Sequence, residues 1–277
     1  MRKSQNENFN YALFGNPIDH SKSPQIHNLF SEQTKILHIY KAINIPLDQF
    51  SSLISDFFKN NIQGANITSP FKKEAYLFAD KLSERARIAK SVNTLKKINN
   101  KYILGDNTDG IGLLSDLNRL KFIKKNSSVL ILGAGGAVQG ILLSILSLGC
   151  SVYILNRTTL KSINLVNQFK QYGNIKIFEK DNMMKNKSFD LVINGISRNI
   201  QYNTSFIPLH LFSSHTFFYD MNYSFKNTTF LDWCIKIGAN HISDGIGMLV
   251  FQAAYSFLEW HGILPKTDYI IDVLSKN

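Results

Sequence analysis

Val129-Leu130-Ile131-Leu132-Gly133-Ala134-Gly135-Gly136-Ala137-Val138 is the stretch on which the fold turns. Four consecutive apolar residues read as a strand buried on both faces, and such strands belong to parallel sheets covered by helices. The strand runs directly into Gly-x-Gly-Gly and then into a strongly apolar helix reaching about Leu148. A strand, a glycine turn and a helix form a dinucleotide-binding arrangement. The glycines let the backbone approach a pyrophosphate, and the N–H groups of the first helical turn bind its charge. Gly133, Ala134, Gly135, Gly136 and Ala137 are therefore candidate cofactor contacts. The match is incomplete, because a small residue usually occupies the place of Val138 in this pattern. A tight strand-to-helix turn with no ligand is the alternative reading.

The next strand, Val152–Leu155, sharpens the reading. A site for NAD usually carries an acidic residue at this strand's end, to hold the ribose 2′-OH. Here the strand ends in Asn156-Arg157-Thr158, with Lys161 four residues beyond Arg157. A cationic pair suits the 2′-phosphate of NADP, which a guanidinium can grip with paired hydrogen bonds. A solvated cluster of helix-end charges is the alternative.

Outward from the loop, short apolar runs alternate with amphipathic helices, which predicts an α/β fold with parallel sheets. Tyr11–Gly15 reads as a strand, and Ser23-Pro24 opens a helix with serine as cap and proline in the first turn. His38–Ile45 is a second predicted strand. Leu47, Phe50, Leu53, Ile54, Phe57 and Phe58 then mark one helix face. Gly64–Thr68 is a third strand stopped by Pro70, with helical stretches to about Lys90 and a polar hairpin around Asn99-Asn100. Ile111–Leu120 reads as a helix; after the Val152–Leu155 strand another helix, Ile175–Phe178 and Leu191–Asn194 continue the alternation, and Phe217–Met221 is a later strand. A long helix follows Asp244-Gly245 to about Trp260, and a short one ends the chain.

The chain has 277 residues, a prior of about two domains. At 44% hydrophobic and 18% charged it has material for packed cores and is no disordered polyelectrolyte. Cys150 and Cys234 sit in apolar stretches and read as reduced core residues. The longest apolar run, Ile141–Leu148, is far short of the roughly 20 residues of a membrane span. No signal-peptide core follows the N-terminus, so a cytoplasmic protein with no membrane partner is expected. The formal charge is +11, but the lysines are scattered and no basic run exceeds three, so no nucleic-acid partner is expected. Neither the seven histidines nor the cysteines show metal-ligand spacing, so no metal is expected.

Several ordered stretches resemble the shikimate dehydrogenases over nearly the whole chain. Gly15-Asn16-Pro17-Ile18-Asp19-His20-Ser21-Lys22-Ser23-Pro24 is similar to that family's N-terminal signature, and Asn66-Ile67-Thr68-Ser69-Pro70-Phe71-Lys72 to its lysine motif. Ser91-Val92-Asn93-Thr94-Leu95 and Gly105-Asp106-Asn107-Thr108-Asp109-Gly110 match two more. Asp220-Met221-Asn222-Tyr223 and the run from Asp244 through Gly245 to Gln252 match the C-terminal pair. The resemblance implies reversible NADPH-linked reduction of 3-dehydroshikimate to shikimate, on the route to chorismate and aromatic amino acids. A quinate/shikimate dehydrogenase of broader substrate or cofactor use is the neighbouring alternative.

The resemblance also implies an architecture. Residues 1–108 would form an α/β substrate-binding catalytic domain, and 109–244 a Rossmann-like NADP-binding domain. Residues 245–277 would be helices returning to the first domain, with the active site in the cleft. A homodimer is the expected assembly. Lys72 is implied as the acid/base group and Asp109 as its partner, accepting from a ring hydroxyl. Ser21 and Ser23 would bind the substrate carboxylate, although Ser23 could instead simply cap its helix. Asn93, Thr68, Tyr223 and Gln252 would complete the substrate pocket. Met221 and Gly245 would lie near the nicotinamide, with Glu84 a weaker cofactor-side match. Two departures stand out: Val138, and Asn194-Gly195-Ile196-Ser197-Arg198-Asn199, which only partly follows the family's Asn-Ala-Thr-Ser run.

Overall fold

Short runs of β-branched and aromatic residues separated by amphipathic helices assemble, among the described residues, into two six-stranded sheets. The computed structural model describes residues 9–60, 62–178, 188–196, 207, 209, 212–224 and 226–276. The chain divides into two units: residues 1–108 with 252–272, and 109–251 with 273–277.

In the first unit, β1 (Tyr11–Gly15) is buried along its whole length and pairs in parallel with β2 (Tyr40–Asn44) and β3 (Gly64–Ile67). The strand predicted from His38 begins two residues later, because His38 is taken up by a cluster described below. Helix α1 (Ser23–Thr34) joins β1 to β2, and α2 (Phe50–Lys59) joins β2 to β3. Phe50, Ile54 and Phe58 form the buried face of α2, as the spacing predicts. Leu47 is a correction: it precedes the helix and is 65% exposed. Helix α3 (Lys72–Phe78), β4 (Lys81–Leu82) and α4 (Glu84–Ala89) follow.

The polar hairpin is present, with β5 (Thr94–Ile98) antiparallel to β6 (Tyr102–Asp106). Asn99 and Asn100 both have positive φ, at 49° and 54°, which asparagine tolerates and a tight hairpin turn needs. This hairpin also makes the first sheet mixed rather than wholly parallel, since β5 lies antiparallel beside β3. The core of this unit packs Phe14, Ile45, Phe50, Phe58, Phe71 and Leu95 together.

Among the described residues the strands of the second unit all pair in parallel. The unit contains α5 (Asp109–Leu120), β7 (Ser128–Leu132), α6 (Gly136–Leu146), β8 (Ser151–Leu155), α7 (Thr159–Phe169), β9 (Ile175–Ile177), β10 (Leu191–Asn194) and β11 (Phe217–Asp220). Two elements beyond the sequence reading complete it, α8 (Thr229–Lys236) and β12 (His241–Ser243). The signal for α8 was there: the Thr228 hydroxyl caps it by accepting from Leu231 N–H, and Phe230, Leu231 and Cys234 face the core. Burial raises the Cys150 and Cys234 thiols, which leaves both free cysteines as inert core residues. Helix α9 (Ile246–His261) belongs to the second unit through Phe251 and to the first from Gln252, and α10 (Asp268–Lys276) follows it. Among the described residues no helix is long and apolar enough to cross a membrane.

His27, His38 and His261 form a row in the first unit. His38 Nε2 lies 3.1 Å from His27 Nδ1, and His38 Nδ1 lies 2.9 Å from His261 Nε2. The His27 ring stacks on Tyr40, and Tyr11 stacks on His38. Burial lowers His27 far below the ordinary histidine range, aided by the neighbouring His38. Burial, then the charge of His261, lowers His38 to about 3. The unfolded chain therefore takes up protons below about pH 6.5 that the folded chain refuses. Stability is full above pH 6.5 and falls as the pH drops through the range down to the folded values. At ~1.4 kcal/mol per pH unit and per group, His27 and His38 together should remove on the order of 4 kcal/mol between pH 7.5 and 5. Urea denaturation at the two pH values measures this, and equal midpoints would show the cluster already charged or open.

Candidate active site

Parallel strands deliver their following loops to one end of a sheet, and the first unit uses this to gather side chains. β1 and β3 are neighbours in register Phe14↔Ile67, so the segments after both strands leave the same sheet end. The first carries Ser21 and Ser23, and the second carries Thr68 and Lys72. Gly15 has no room for a Cβ, which would overlap the Thr68 methyl, so the two segments lie against each other. Because β5 is antiparallel to β3, its start reaches this same end: Ile67 N–H donates to Asn93 O at 2.8 Å.

At the start of α1 the structure corrects the capping assignment. Lys22 occupies the cap position without a side-chain hydrogen bond, and Ser23 is the first helical residue, buried. The Ser21 hydroxyl instead accepts from Ser23 N–H at 3.2 Å. The reason is Pro24: its missing N–H takes an early-turn place, and the serine two residues back from Ser23 supplies the acceptor. Lys72 begins α3 and is half-buried, whereas Lys73 is exposed. The Lys72 carbonyl accepts from Val92 N–H at 2.9 Å, which ties its backbone to the residue preceding Asn93.

Asn93 is 2% exposed and held on every side. Its Oδ1 accepts from Thr108 N–H at 2.8 Å and from the Thr94 hydroxyl at 2.9 Å. Its Nδ2 donates to the Thr108 hydroxyl at 2.9 Å and to Gln252 Oε1 at 3.2 Å. The structure thus brings Asn93 and Gln252 together. Asp109 follows Thr108 directly, opens α5 and is 3% exposed; a carboxylate is favoured there by the helix dipole.

The sequence reading missed what holds this turn. Arg85 Nε donates to Asp106 Oδ1 at 2.7 Å, and its Nη2 and the Ser83 hydroxyl also donate to that carboxylate. Burial by itself would raise Asp106, but Arg85, Ser83 and the Asn107 N–H hold it below its ordinary value. The carboxylate is therefore anchored as a charge just before Asn107-Thr108-Asp109. Asp106 stood in a quoted motif, but only the fold shows its partner 21 residues away. Glu84 is an exposed residue of the first turn of α4.

Among the described residues of the second unit every strand pairs in parallel, so the candidate residues that follow its strands emerge at one sheet end. Gly133 follows β7 with φ of +105°, a conformation that demands glycine, and donates to Leu155 O at 2.8 Å. Gly135 is the extended cap residue of α6, and no side chain caps that helix. At Gly135 and Gly136 nothing lies within 4 Å of where a Cβ would be. That open shelf over a helix start fits a pyrophosphate, with Ala134 and Ala137 beside it. After β8, Asn156 Nδ2 donates to Thr158 O at 2.9 Å, and Arg157 and Lys161 are exposed. No carboxylate pairs with either cation among the described residues.

Met221 and Gly245 meet directly. A Cβ on Gly245 would overlap the Met221 backbone, and Gly245 N–H donates to Asn222 O at 3.0 Å. Asp220, just before, is a hub missed in the sequence: it accepts from Asn194 Nδ2 at 2.9 Å, from Asn222 and from the Thr228 hydroxyl at 2.5 Å. Burial raises its carboxyl despite these donors. Tyr223 is half-buried in the same segment. Gly247 clears space for the buried Asp116 carboxylate, which pairs with Arg119 at 2.7 Å and accepts from Tyr219 OH at 2.7 Å. Of the departing loop, Gly195 and Ile196 are described, while Ser197, Arg198 and Asn199 lie outside the described residues.

The family model for the shikimate dehydrogenase substrate binding domain matches residues 13–95. A protein named shikimate dehydrogenase (NADP(+)) from Buchnera aphidicola subsp. Schizaphis graminum is 70% identical over 97% of this chain and 98% of its own length. Among solved structures, an Ael1 enzyme from Pseudomonas putida is 37% identical, with a TM-score of 0.86 over 97% of this chain and 98% of that one. A shikimate 5-dehydrogenase from Thermus thermophilus, in complex with NADP(H) and shikimate, is 26% identical, with a TM-score of 0.80 over 95% of this chain and 97% of that one.

Proposed function

Because the chain belongs to the shikimate dehydrogenase family, we propose that its two units divide the work of an NADP-linked interconversion of 3-dehydroshikimate and shikimate. The activity is that of an oxidoreductase with NADP as cofactor. The division of labour among residues is our own reading. The single observation that carries it is the convergence of polar side chains at the carboxyl end of the β1–β3 pair, beside Asn93 and Gln252.

In this reading the first unit holds the substrate. Ser21 and Ser23 bind its carboxylate at the start of α1, where N–H groups favour an anion. Asn93, fixed by Thr94 and Thr108, presents its carboxamide to ring hydroxyls, with Thr68 and Gln252 completing the set. The second unit holds NADP: Gly133 to Ala137 take the pyrophosphate, and Asn156, Arg157, Thr158 and Lys161 take the adenosine ribose and its 2′-phosphate. Met221 and Gly245 line the nicotinamide end. When bound, the reduced nicotinamide supplies the hydride.

The protein's own chemistry concerns the proton. In the reductive direction Lys72 gives a proton to the carbonyl oxygen as negative charge develops there, and it takes the proton back in the reverse direction. Asp109 accepts from the adjacent hydroxyl and orients the Lys72 ammonium. A steady-state assay with shikimate and quinate, each with NADP and NAD, tests the function. Turnover should be fastest with shikimate and NADP. Equal turnover of quinate would assign the broader quinate/shikimate activity instead, and a preference for NAD would overturn the cofactor reading.

A further inference from the structure

Gly195 follows β10, Val138 lies in the first turn of α6, and each occupies space the other leaves. Gly195 N–H donates to Leu132 O at 2.8 Å, so the chain leaving β10 runs beside the chain entering the glycine loop. A Cβ built on Gly195 would overlap the Val138 Cγ2 methyl and stand 3.3 Å from Leu132 O. Val138 is fully buried. From the loop side, a Cβ on Gly133 would meet the Gly195 carbonyl carbon and oxygen at 3.1 Å. Two bare backbones thus lie against each other, and the Val138 branch fills the volume where a side chain of residue 195 would sit.

Interiors are packed closely enough that one methyl too many moves its neighbours. The direction of that movement follows from the surroundings. Strand β10 is pinned between β7 and β11, whereas nothing stands within 4 Å of the Cβ positions of Gly135 and Gly136. Extra volume at 195 is therefore relieved by the loop and the start of α6, not by the strand.

We propose that Val138 and Gly195 are a compensating pair, and that their combined volume sets the position of the glycine loop that receives the cofactor pyrophosphate. This makes both positioning residues for cofactor binding, and it rests on the reading that this loop holds NADP.

The test compares Gly195→Ala, Val138→Ala and the double variant by direct NADP titration, KM for shikimate and melting temperature. Gly195→Ala should raise the Kd for NADP about tenfold, equivalent to ~1.4 kcal/mol, with the shikimate KM within about twofold. Val138→Ala should raise it about threefold, and the double variant should return to within about threefold of the parent. Unchanged NADP affinity in Gly195→Ala overturns the proposal, whether or not its melting temperature falls. So does a double variant as weak as the two single effects multiplied. If Gly195→Ala fails to fold, the double variant must still bind NADP more tightly than Val138→Ala. Arg157→Ala is titrated alongside. If it too leaves NADP affinity intact, the reading of where NADP binds has failed; if it weakens NADP while Gly195→Ala does not, only the pair is wrong.

Discussion

Lys72→Ala is expected to cut kcat by about 10²- to 10⁴-fold, the worth of a positioned acid/base group, with a smaller change in substrate KM. Lys72 opens α3 at the carboxyl end of β3, half-buried, with its carbonyl tied to Val92. Asp109→Asn keeps the shape and removes the charge, and it should lose at least about tenfold, the order of one strong charge-assisted hydrogen bond. The two residues are proposed to act as one unit, so the double variant should be little worse than Lys72→Ala. A double-mutant cycle on kcat/KM reads this, with folding checked by thermal melting. Strictly additive losses would separate the two roles. Near-normal kcat in Lys72→Ala would require the proton to come from another group or from water, and the mechanism would be wrong.

Arg157→Ala should raise the KM for NADP by about 10- to 150-fold and leave that for NAD nearly unchanged. The size follows from charge-assisted hydrogen bonds of roughly 1.5–3 kcal/mol to a phosphate that only NADP carries. Arg157 is exposed beside a turn stiffened by the Asn156–Thr158 hydrogen bond. Lys161 lies four residues further on, in the first turn of α7, so Lys161→Ala should show the same selectivity with a smaller effect. Equal weakening of both cofactors would remove the 2′-phosphate assignment.

Much of the framework could be read from the chain alone. Val129 to Leu132 reads as a strand covered on both faces, because four successive apolar residues need burial and the glycine turn directly after them is too close for a helix. The run Asn99-Asn100 announced its hairpin because few residues tolerate two consecutive positive φ angles. The run after Asp244 announced a long helix. These features are local: they depend on backbone preferences and on side-chain period within a dozen residues. For the same reason the cap of α1 was misassigned. Serine, lysine and serine alternate there, and only the folded chain shows Lys22 in the cap position with no side-chain hydrogen bond while Ser21 Oγ accepts from Ser23 N–H.

What the chain determined by itself was the strand–helix alternation, the glycine loop and the ordered motifs that point to one family. What only the tertiary structure decided was which distant groups share an environment. Asp106 is a charged anchor because Arg85 folds back onto it, and His38 is driven to about 3 by burial and then by the charge of His261, 223 residues away in the same row. Val138 reads as a flaw in the glycine loop until Gly195 is found beside it, leaving room for the methyl. The physical reason is common to all three. Electrostatic and packing energies depend on distance through space, and residues far apart along the chain carry no local signal of the contact they will make.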